Sequence, residues 1–387
     1  MRRLPLHLLD EILFNLDPKS LGKMRCTNKS INSHISDDPN FKTEYFSRIG
    51  SSLLHVSKYD SNVLCFHPFG NSWSESEHLD NWLKILGSCS GLLLLSIKGR
   101  SCVANPLTNK FRFLDDSIWG KETWTRSGFA VDQIDRTTQR FKIVCITEQL
   151  EVSNPDETTY QFEINTGESW SLSKTTITCR SSKLEKGKNS KPVYLNGDLH
   201  WLRKDRSIVA FNPETEKARL IHSKFNRKPG KLLLCAGDNR LTLISATKRV
   251  ISVFALETDG KWILVRRIKN KVVHQSIPLL YWNVHAYDGK CLEVRTMKNR
   301  RDGSVIHSYD VRANKWGVFR SFPRWCIPNR HFFLFKPSWS SVIGLLDQEE
   351  IKTKTKTKTD PLAVTESESI SSVMAIMGLI NRNLSFI

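Results

Sequence analysis

Residues 193–215 read VYLNGDLHWLRKDRSIVAFNPET, and this stretch decides the fold class. Asn196-Gly197 is a dipeptide that favours a tight turn between two antiparallel strands. Two short apolar runs, 199–202 and 208–211, follow that turn, and a second turn signal, Asn212-Pro213-Glu214-Thr215, comes directly after them. Short apolar runs separated by turn residues are typical of an all-β domain. The stretch therefore predicts antiparallel strands joined by tight turns.

The same pattern recurs along most of the chain from about residue 52. Apolar or alternating runs lie at 91–97, 141–146, 199–202, 208–211, 232–235, 241–245, 250–256, 262–267, 291–296, 305–311 and 332–335. Turn units rich in Asn, Asp, Glu, Thr and Gly lie at 105–109, 165–167, 212–215, 257–260 and 311–314, and Trp170, Trp262 and Trp316 follow three of them. Their spacing of about 45 to 60 residues is that of four-stranded propeller blades. We expect a β-propeller-like domain in which each such Trp fills the space between two sheets. Five units are visible, and the number of blades stays open.

The first 46 residues differ from the rest, because their apolar residues recur at helical spacing. Pro5 suits the first turn of a helix, and Pro18 ends that helix. The positions that form one apolar face are Leu8, Leu9, Ile12, Leu13 and Leu16. Short helices to about residue 46 follow. Helices this short cannot bury all their apolar surface against one another, so we expect a partner protein to cover part of it.

The totals describe a globular protein with a basic balance. Of its 387 residues 39% are hydrophobic and 25% charged, and the formal net charge is +19. Because Lys and Arg are spread along the chain, we favour a solvated basic surface and keep nucleic-acid binding as an alternative. The nine cysteines occur singly, which predicts reduced thiols in an intracellular protein of the cytoplasm or nucleus. No apolar run is long enough to predict a membrane span.

The end of the chain loses the strand pattern from about Gln348. Residues 352–359 alternate Lys and Thr, which predicts a solvated linker. Apolar residues between 370 and 387 are compatible with a short amphipathic helix or with a frayed tail, and both remain open.

The N-terminal module resembles an F-box. The positions that carry the resemblance are Leu4-Pro5, Leu8-Leu9, Glu11-Ile12-Leu13, Leu16, Lys19-Ser20-Leu21, Arg25-Cys26, Lys29-Ser30, Ile35 and Asp38-Pro39-Asn40-Phe41. The resemblance implies binding to a Skp-type adaptor and, through it, to the cullin of a ubiquitin ligase. Such binding would be apolar, and the positions that we expect to face the adaptor are Leu4, Pro5, Leu8, Ile12, Leu16 and Leu21. The departures from the family pattern are His7, Asn15, Asp17, Ile31 and His34.

The β region resembles the plant F-box-associated domains. The segments that carry this resemblance are 89–93, 105–108, 128–132 with 141–144, and 193–201 with 208–212. We therefore expect an F-box at 1–48, a propeller-like F-box-associated domain at 52–345, and a low-complexity linker and tail at 346–387. The resemblance implies a non-enzymatic substrate receptor of a Skp–cullin–F-box ubiquitin ligase, whose β domain holds an unknown protein target.

Catalysis and metal binding are poorly supported by the sequence. No GxSxG, P-loop, dinucleotide-binding, HExxH or EF-hand pattern occurs, so we expect no catalytic residue, cofactor or metal. We interpret His200 and Trp201 as packing residues, and Asp132, Asp135 and Asp156 as turn residues. A propeller that hydrolyses a small molecule remains a second alternative.

Overall fold

The computed structural model of the chain contains a small helical module, a large β domain and a C-terminal helix. The helices are α1 (Leu6–Phe14), α2 (Pro18–Arg25), α3 (Lys29–Asp37), α4 (Pro39–Arg48) and α5 (Ala363–Leu384). The structure describes residues 4–16, 18–48, 52–58, 62–67, 75–79, 83–115, 127–135, 138–150, 156–180, 182–185, 191–222, 230–257, 260–273, 279–299, 301, 303–322, 328–346 and 363–384. The predicted Lys-Thr linker at 352–359 lies outside these residues.

Short polar side chains begin two of the N-terminal helices. The Asn28 side chain accepts a hydrogen bond from the Ser30 backbone N–H at 2.7 Å, which caps α3. The Asp38 carboxylate accepts one from the Asn40 N–H at 2.8 Å at the start of α4. Each cap satisfies a backbone donor that has no partner within its helix. The helical module predicted from the first 46 residues is confirmed.

The β domain contains the remaining regular structure. Its strands are β1 (Ser52–Lys58), β2 (Asn62–His67), β3 (Glu75–Leu79), β4 (Leu83–Cys89), β5 (Leu92–Ile97), β6 (Arg100–Asn105), β7 (Lys110–Leu114), β8 (Gly128–Gln133), β9 (Thr138–Leu150), β10 (Glu157–Asn165), β11 (Trp170–Arg180), β12 (Val193–Leu195), β13 (Asp198–Leu202), β14 (Ile208–Asn212), β15 (Lys217–Ile221), β16 (Lys231–Gly237), β17 (Arg240–Ala246), β18 (Val250–Leu256), β19 (Trp262–Lys269), β20 (Tyr281–Tyr287), β21 (Cys291–Met297), β22 (Ser304–Asp310), β23 (Lys315–Phe322), β24 (Pro328–Phe335) and β25 (Ser341–Val342).

These strands form a β-propeller, as the sequence predicts. In the described part of the chain there are six sheets, which we number by the chain order of their strands: β1–β3 with β24, then β4–β7, β8–β11, β12–β15, β16–β19 and β20–β23. Neighbouring strands within each set are antiparallel, and the short β25 adds a parallel pairing to β9. The innermost strands β4, β8, β12, β16, β20 and β24 follow one another around a closed ring. The sequence repeat shows five units, and sheet 1 is the one that it does not reveal.

Sheet 1 closes the ring with strands from distant parts of the chain. Its inner strand β24 pairs antiparallel with β1, so residues 328–335 complete a sheet that begins at residue 52. An apolar cluster lies at each of the six interfaces between neighbouring sheets. The smallest of these clusters joins sheets 6 and 1, where its buried members are Ile306, Phe322 and Phe332. Ring closure therefore depends on contacts between residues far apart in sequence.

The repeated turn residues have a common structural role. The Asn212 side chain accepts hydrogen bonds from the Glu214 and Thr215 backbone N–H groups at 3.0 and 2.9 Å. Asn105 and Asp310 accept equivalent bonds at the same hairpin of sheets 2 and 6. Each residue closes the turn between the third and fourth strands of its sheet by mimicking a backbone turn.

Two of the predicted Trp residues join neighbouring sheets. The Trp170 indole N–H, on sheet 3, donates to the Asp115 carbonyl oxygen next to sheet 2 at 2.8 Å. The Trp316 indole N–H, on sheet 6, donates to the Lys269 carbonyl oxygen of sheet 5 at 3.1 Å. Each ring thus anchors an outer strand to the preceding sheet, in agreement with the predicted role.

The C-terminal helix α5 is part of the core. The sequence leaves open whether this segment is a helix or a frayed tail, and residues 363–384 form a helix. Its fully or almost fully buried residues are Val373, Ile376, Met377, Leu379 and Ile380. They pack in the cluster that sheets 1 and 2 share. No described helix is both long and apolar enough to cross a membrane.

Candidate functional site

The outer face of α1 is an exposed apolar surface. Leu4 is 50% exposed, Leu8 45% and Ile12 53%, and Pro5 is exposed beside them. Leu8 and Ile12 are four residues apart, so they lie one above the other on the same side of the helix. We call these four residues the α1 stripe. It lies on the protein surface, and none of the described strands covers it.

The neighbouring face of α1 holds the helical module together. Leu13 is fully buried with Ile35 and Tyr45, and Leu9 packs against this cluster. The Tyr45 hydroxyl donates to the Leu16 carbonyl oxygen at 2.8 Å, which ties α4 to the end of α1. The apolar residues that the sequence places on one face of α1 therefore form two faces, one exposed and one buried in the core of the module.

Two of the residues expected to face an adaptor belong to the internal side. Leu21 is 0% exposed, and it contributes to the core of the module. Leu16 is half-buried against the same core. Leu21 has no surface to offer a partner, because α2 packs its side chain inward. The structure thus brings Leu4, Pro5, Leu8 and Ile12 together on the surface and separates Leu21 from them.

The unusual residues of the module have local compensations. The Nε2 atom of His34 lies 2.5 Å from the Asp10 carboxylate, and its Nδ1 atom lies 3.6 Å from Asp38. This contact joins α3 to α1 at a position where the family pattern is apolar. Ile31, which replaces an aromatic residue of that pattern, packs partly buried against the module core. The substituted module therefore retains a closed core among its described residues.

The helical module also contacts the β domain. The Trp339 ring, from the segment after β24, stacks on the Tyr45 ring with centroids 5.7 Å apart. The Arg25 guanidinium lies 5.6 Å from the centroid of the same Trp339 ring. Helix α5 lies beside α2. The α1 stripe is thus presented in a defined orientation relative to the propeller.

His200 and Trp201, which we interpret from the sequence as packing residues, are both buried. His200 is buried, with its Nδ1 atom 3.2 Å from the Val193 carbonyl oxygen, and burial lowers its pKa. Trp201 is buried beside Phe162, at 6.3 Å between ring centroids, in the interface of sheets 3 and 4. Both observations agree with a packing role.

Two of the three aspartates named in the sequence analysis accept hydrogen bonds through their carboxylates. Asp135 accepts a hydrogen bond from the Thr138 backbone N–H at 2.9 Å. The interpretation of Asp132 as a turn residue is wrong, because it lies within β8, where its carboxylate accepts a hydrogen bond from the Tyr194 hydroxyl. Asp156 lies in the turn before β10. Within the described ranges, no group of three or more His, Cys, Asp or Glu residues is arranged to hold a metal ion.

Two family models match the chain. The model of the F-box domain matches residues 1–43, and that of the F-box associated beta propeller domain matches residues 69–258. The first range contains the α1 stripe, and the second covers most of sheets 2 to 5. The match therefore follows the division between helical module and propeller.

Plant proteins of this type are similar to the chain over nearly all of its length. A putative F-box/kelch-repeat protein of Arabidopsis thaliana is 69% identical over 438 residues, covering 100% of both chains. A putative F-box protein of the same plant is 50% identical over 376 residues, covering 90% of this chain and 88% of the relative. A solved putative 6-phosphogluconolactonase of Bacteroides fragilis has 10% identity and a TM-score of 0.35, and covers 74% of this chain and 98% of its own. That likeness carries no argument about function.

Proposed function

Because this chain belongs to the plant F-box proteins that carry an F-box-associated β-propeller domain, we propose that it is the substrate-recognition subunit of a Skp–cullin–F-box ubiquitin ligase. In this proposal the helical module binds the Skp-type adaptor, and the propeller binds a protein target. The chain contributes proximity and orientation, while ubiquitin transfer is performed by other subunits.

The exposed α1 stripe is the observation that carries the proposal. Contiguous exposed apolar side chains on a small helical module indicate a protein-binding surface. Full burial of a Leu or Ile side chain stabilises by roughly 1.5–3 kcal/mol. Leu8 and Ile12 are each about half exposed, so each offers a partner on the order of 1 kcal/mol. We propose that Leu4, Pro5, Leu8 and Ile12 contact the adaptor directly.

The orientation of the stripe supports a receptor role. Trp339 and α5 link the helical module to the propeller through packed contacts. An adaptor bound at the stripe would therefore hold a propeller-bound target at a defined position. Positioning of two reactants is the contribution that a non-catalytic receptor makes to a transfer reaction.

The experiment compares adaptor binding by the full chain with that of Leu8→Asp and Ile12→Asp. Each variant would place a carboxylate in the proposed apolar contact, which should weaken binding roughly thirtyfold or more. Val318→Asp is a matched control, because Val318 is 65% exposed on β23, the outer strand of sheet 6, and is not part of the α1 stripe. Calorimetric titration of a purified Skp-type adaptor into each chain measures the affinities.

The proposal requires that the control binds like the wild type while both α1 variants lose affinity. If all three variants bind the adaptor equally well, the α1 stripe is not the contact surface. If the wild-type chain does not bind an adaptor at all, the ligase function is wrong for this protein.

A further inference from the structure

A cavity lies at the axis of the propeller, where the six inner strands converge. Its volume is about 240 Å³, and its lining includes Gly87, Phe129, Tyr194, Cys235, His285 and Phe333, one residue from each of the six sheets. Most of the remaining lining residues are apolar. The volume is somewhat below the roughly 300 Å³ at which pockets for drug-sized ligands begin, so the cavity suits a small molecule.

One cation enters this apolar space. Lys191 lies two residues before β12, on sheet 4, and its side chain extends to sheet 1 on the opposite side of the ring. Its ammonium group donates a hydrogen bond to the Phe332 carbonyl oxygen. The Nζ atom also lies 3.9 Å from the centroid of the Phe333 ring. Lys191 therefore crosses the cavity and presents its charge near the inner strand β24.

No acidic side chain pairs with this charge among the described residues. None of the salt bridges there involves Lys191, and the described lining of the cavity contains no Asp or Glu. Burial lowers the pKa of Lys191 to about 7. An ammonium ion in an apolar surrounding is costly unless an opposite charge compensates it. A bound negative group would therefore stabilise the charged form of Lys191.

We propose that the central cavity binds a small organic carboxylate, whose carboxylate group pairs with the Lys191 ammonium and whose apolar body fills the space between the inner strands. A charge-assisted hydrogen bond to the carboxylate would compensate the buried cation, and the apolar lining would bury the remainder of the ligand. This inference does not rest on the adaptor function.

Glu293 on β21, paired with the cavity residue Ala286, has a pKa that burial raises to about 8, so it ionises in the same range as Lys191. The other titratable groups line the cavity itself. They are Cys89 on β4, Tyr194 near Lys191, Cys235 on β16, and His285 and Tyr287 on β20. Burial raises the pKa of Cys89 to about 11 and that of Tyr287 to about 12, and it also raises those of Cys235 and Tyr194. Between pH 7 and 9 a loss of carboxylate affinity is therefore expected from deprotonation of Lys191, by up to roughly tenfold per pH unit.

The experiment titrates the purified full chain with acetate, butyrate and benzoate, and with benzamide as the uncharged counterpart of benzoate. At pH 7 we expect at least one carboxylate to bind, and benzoate to bind at least tenfold more tightly than benzamide. Lys191→Met keeps the length of the side chain without its charge, and should weaken carboxylate binding at least tenfold. Lys217→Met, an exposed change on the outer strand β15, is the matched control and should bind like the wild type.

Three outcomes would overturn the proposal. They are no binding of any of the three carboxylates, equal binding of benzoate and benzamide, and undiminished benzoate binding by a folded Lys191→Met chain. If Lys191→Met does not fold, the affinity of a Glu293→Gln chain between pH 7 and 9 decides instead, because that change removes the ionisation of Glu293 from the same range. A decrease in its benzoate affinity supports the proposal, and a constant affinity refutes it. Adaptor binding, measured on the same chains, reports separately on the ligase function.

Discussion

Glu293 is a buried carboxyl group without a hydrogen-bond partner in the described structure. It lies on β21 and is 1% exposed, and neither of its carboxylate oxygens has a donor within reach. Burial raises the pKa of Glu293 from 4.5 to about 8, with a smaller contribution from the negative charge of Asp288. The folded protein therefore holds this side chain as a neutral acid at pH 7.

The raised pKa makes stability depend on pH in a defined direction. The unfolded chain ionises Glu293 near pH 4.5, whereas the folded chain keeps the proton until about pH 8. The folded state binds more protons between these values, so the free energy of unfolding falls as pH rises through that window. The loss is about 1.4 kcal/mol per pH unit. At pH 7 it reaches about 3 kcal/mol, as an upper bound, and at pH 5 it is below about 1 kcal/mol.

We predict that Glu293→Gln removes this pH-dependent cost. The amide is nearly the same shape as the acid and stays neutral in both states. The stability difference between variant and wild type should grow from less than about 1 kcal/mol at pH 5 to about 2–3 kcal/mol at pH 7. Urea unfolding at pH 5, 6 and 7, followed by tryptophan fluorescence, measures it. Glu168→Gln, an exposed change in a turn, is the control and should stay within about 0.5 kcal/mol at each pH. A Glu293→Gln difference that is the same at all three pH values would refute the reasoning.

Two further predictions concern packing. Gly91→Ala should destabilise the protein by about 2–4 kcal/mol, because φ is +84° and a Cβ atom would lie 2.4 Å from that of Ser338. Gly260→Ala has a similar φ of +81° but meets nothing within 4 Å, so it should cost only about 1 kcal/mol; equal losses would show that the Ser338 contact is unimportant. Met377→Ala should cost about 2–5 kcal/mol, since Met377 is fully buried in α5, whereas Ser371→Ala on its exposed side should have little effect. Urea unfolding tests both pairs, and a Met377→Ala chain as stable as wild type would contradict the burial of α5.

The fold was largely predictable because its local signals agree with one another. Asn105, Asn212 and Asp310 lie at the same hairpin in three sheets. Each side chain stabilises its own turn by accepting hydrogen bonds from the next few backbone N–H groups, so the signal is local in sequence. The closing strand β24 lacks such a signal. Its partner β1 lies more than 260 residues earlier in the chain, and no periodicity within either segment specifies that pairing. Sheet 1 therefore becomes visible only when the ring is assembled.

The α1 stripe was predictable in part for a related reason. Helical spacing identifies Leu8, Leu9, Ile12 and Leu13 as apolar, but neighbouring positions are only about 100° apart around the helix. Which half of such a wide stripe turns inward depends on where α3 and α4 pack. Lys191 was not predicted at all, because nothing in the sequence distinguishes it from the nearby lysines 183, 186 and 188. Only the arrangement of the six inner strands places Lys191 at the axis.

The two ends of the β domain meet in sheet 1, and this has a consequence for the helical module. The residues after β24 carry Trp339 to the Tyr45 ring, and Ser338 of the same segment lies against Gly91. Helix α5 then covers the interface of sheets 1 and 2 and lies beside α2. The region that closes the ring is thus the region that holds the module. Because packed contacts transmit displacement rather than absorb it, loosening of the closing strand would also release the orientation of the α1 stripe. Under the proposed receptor function, a target would be held in a defined position only while the propeller ring is closed.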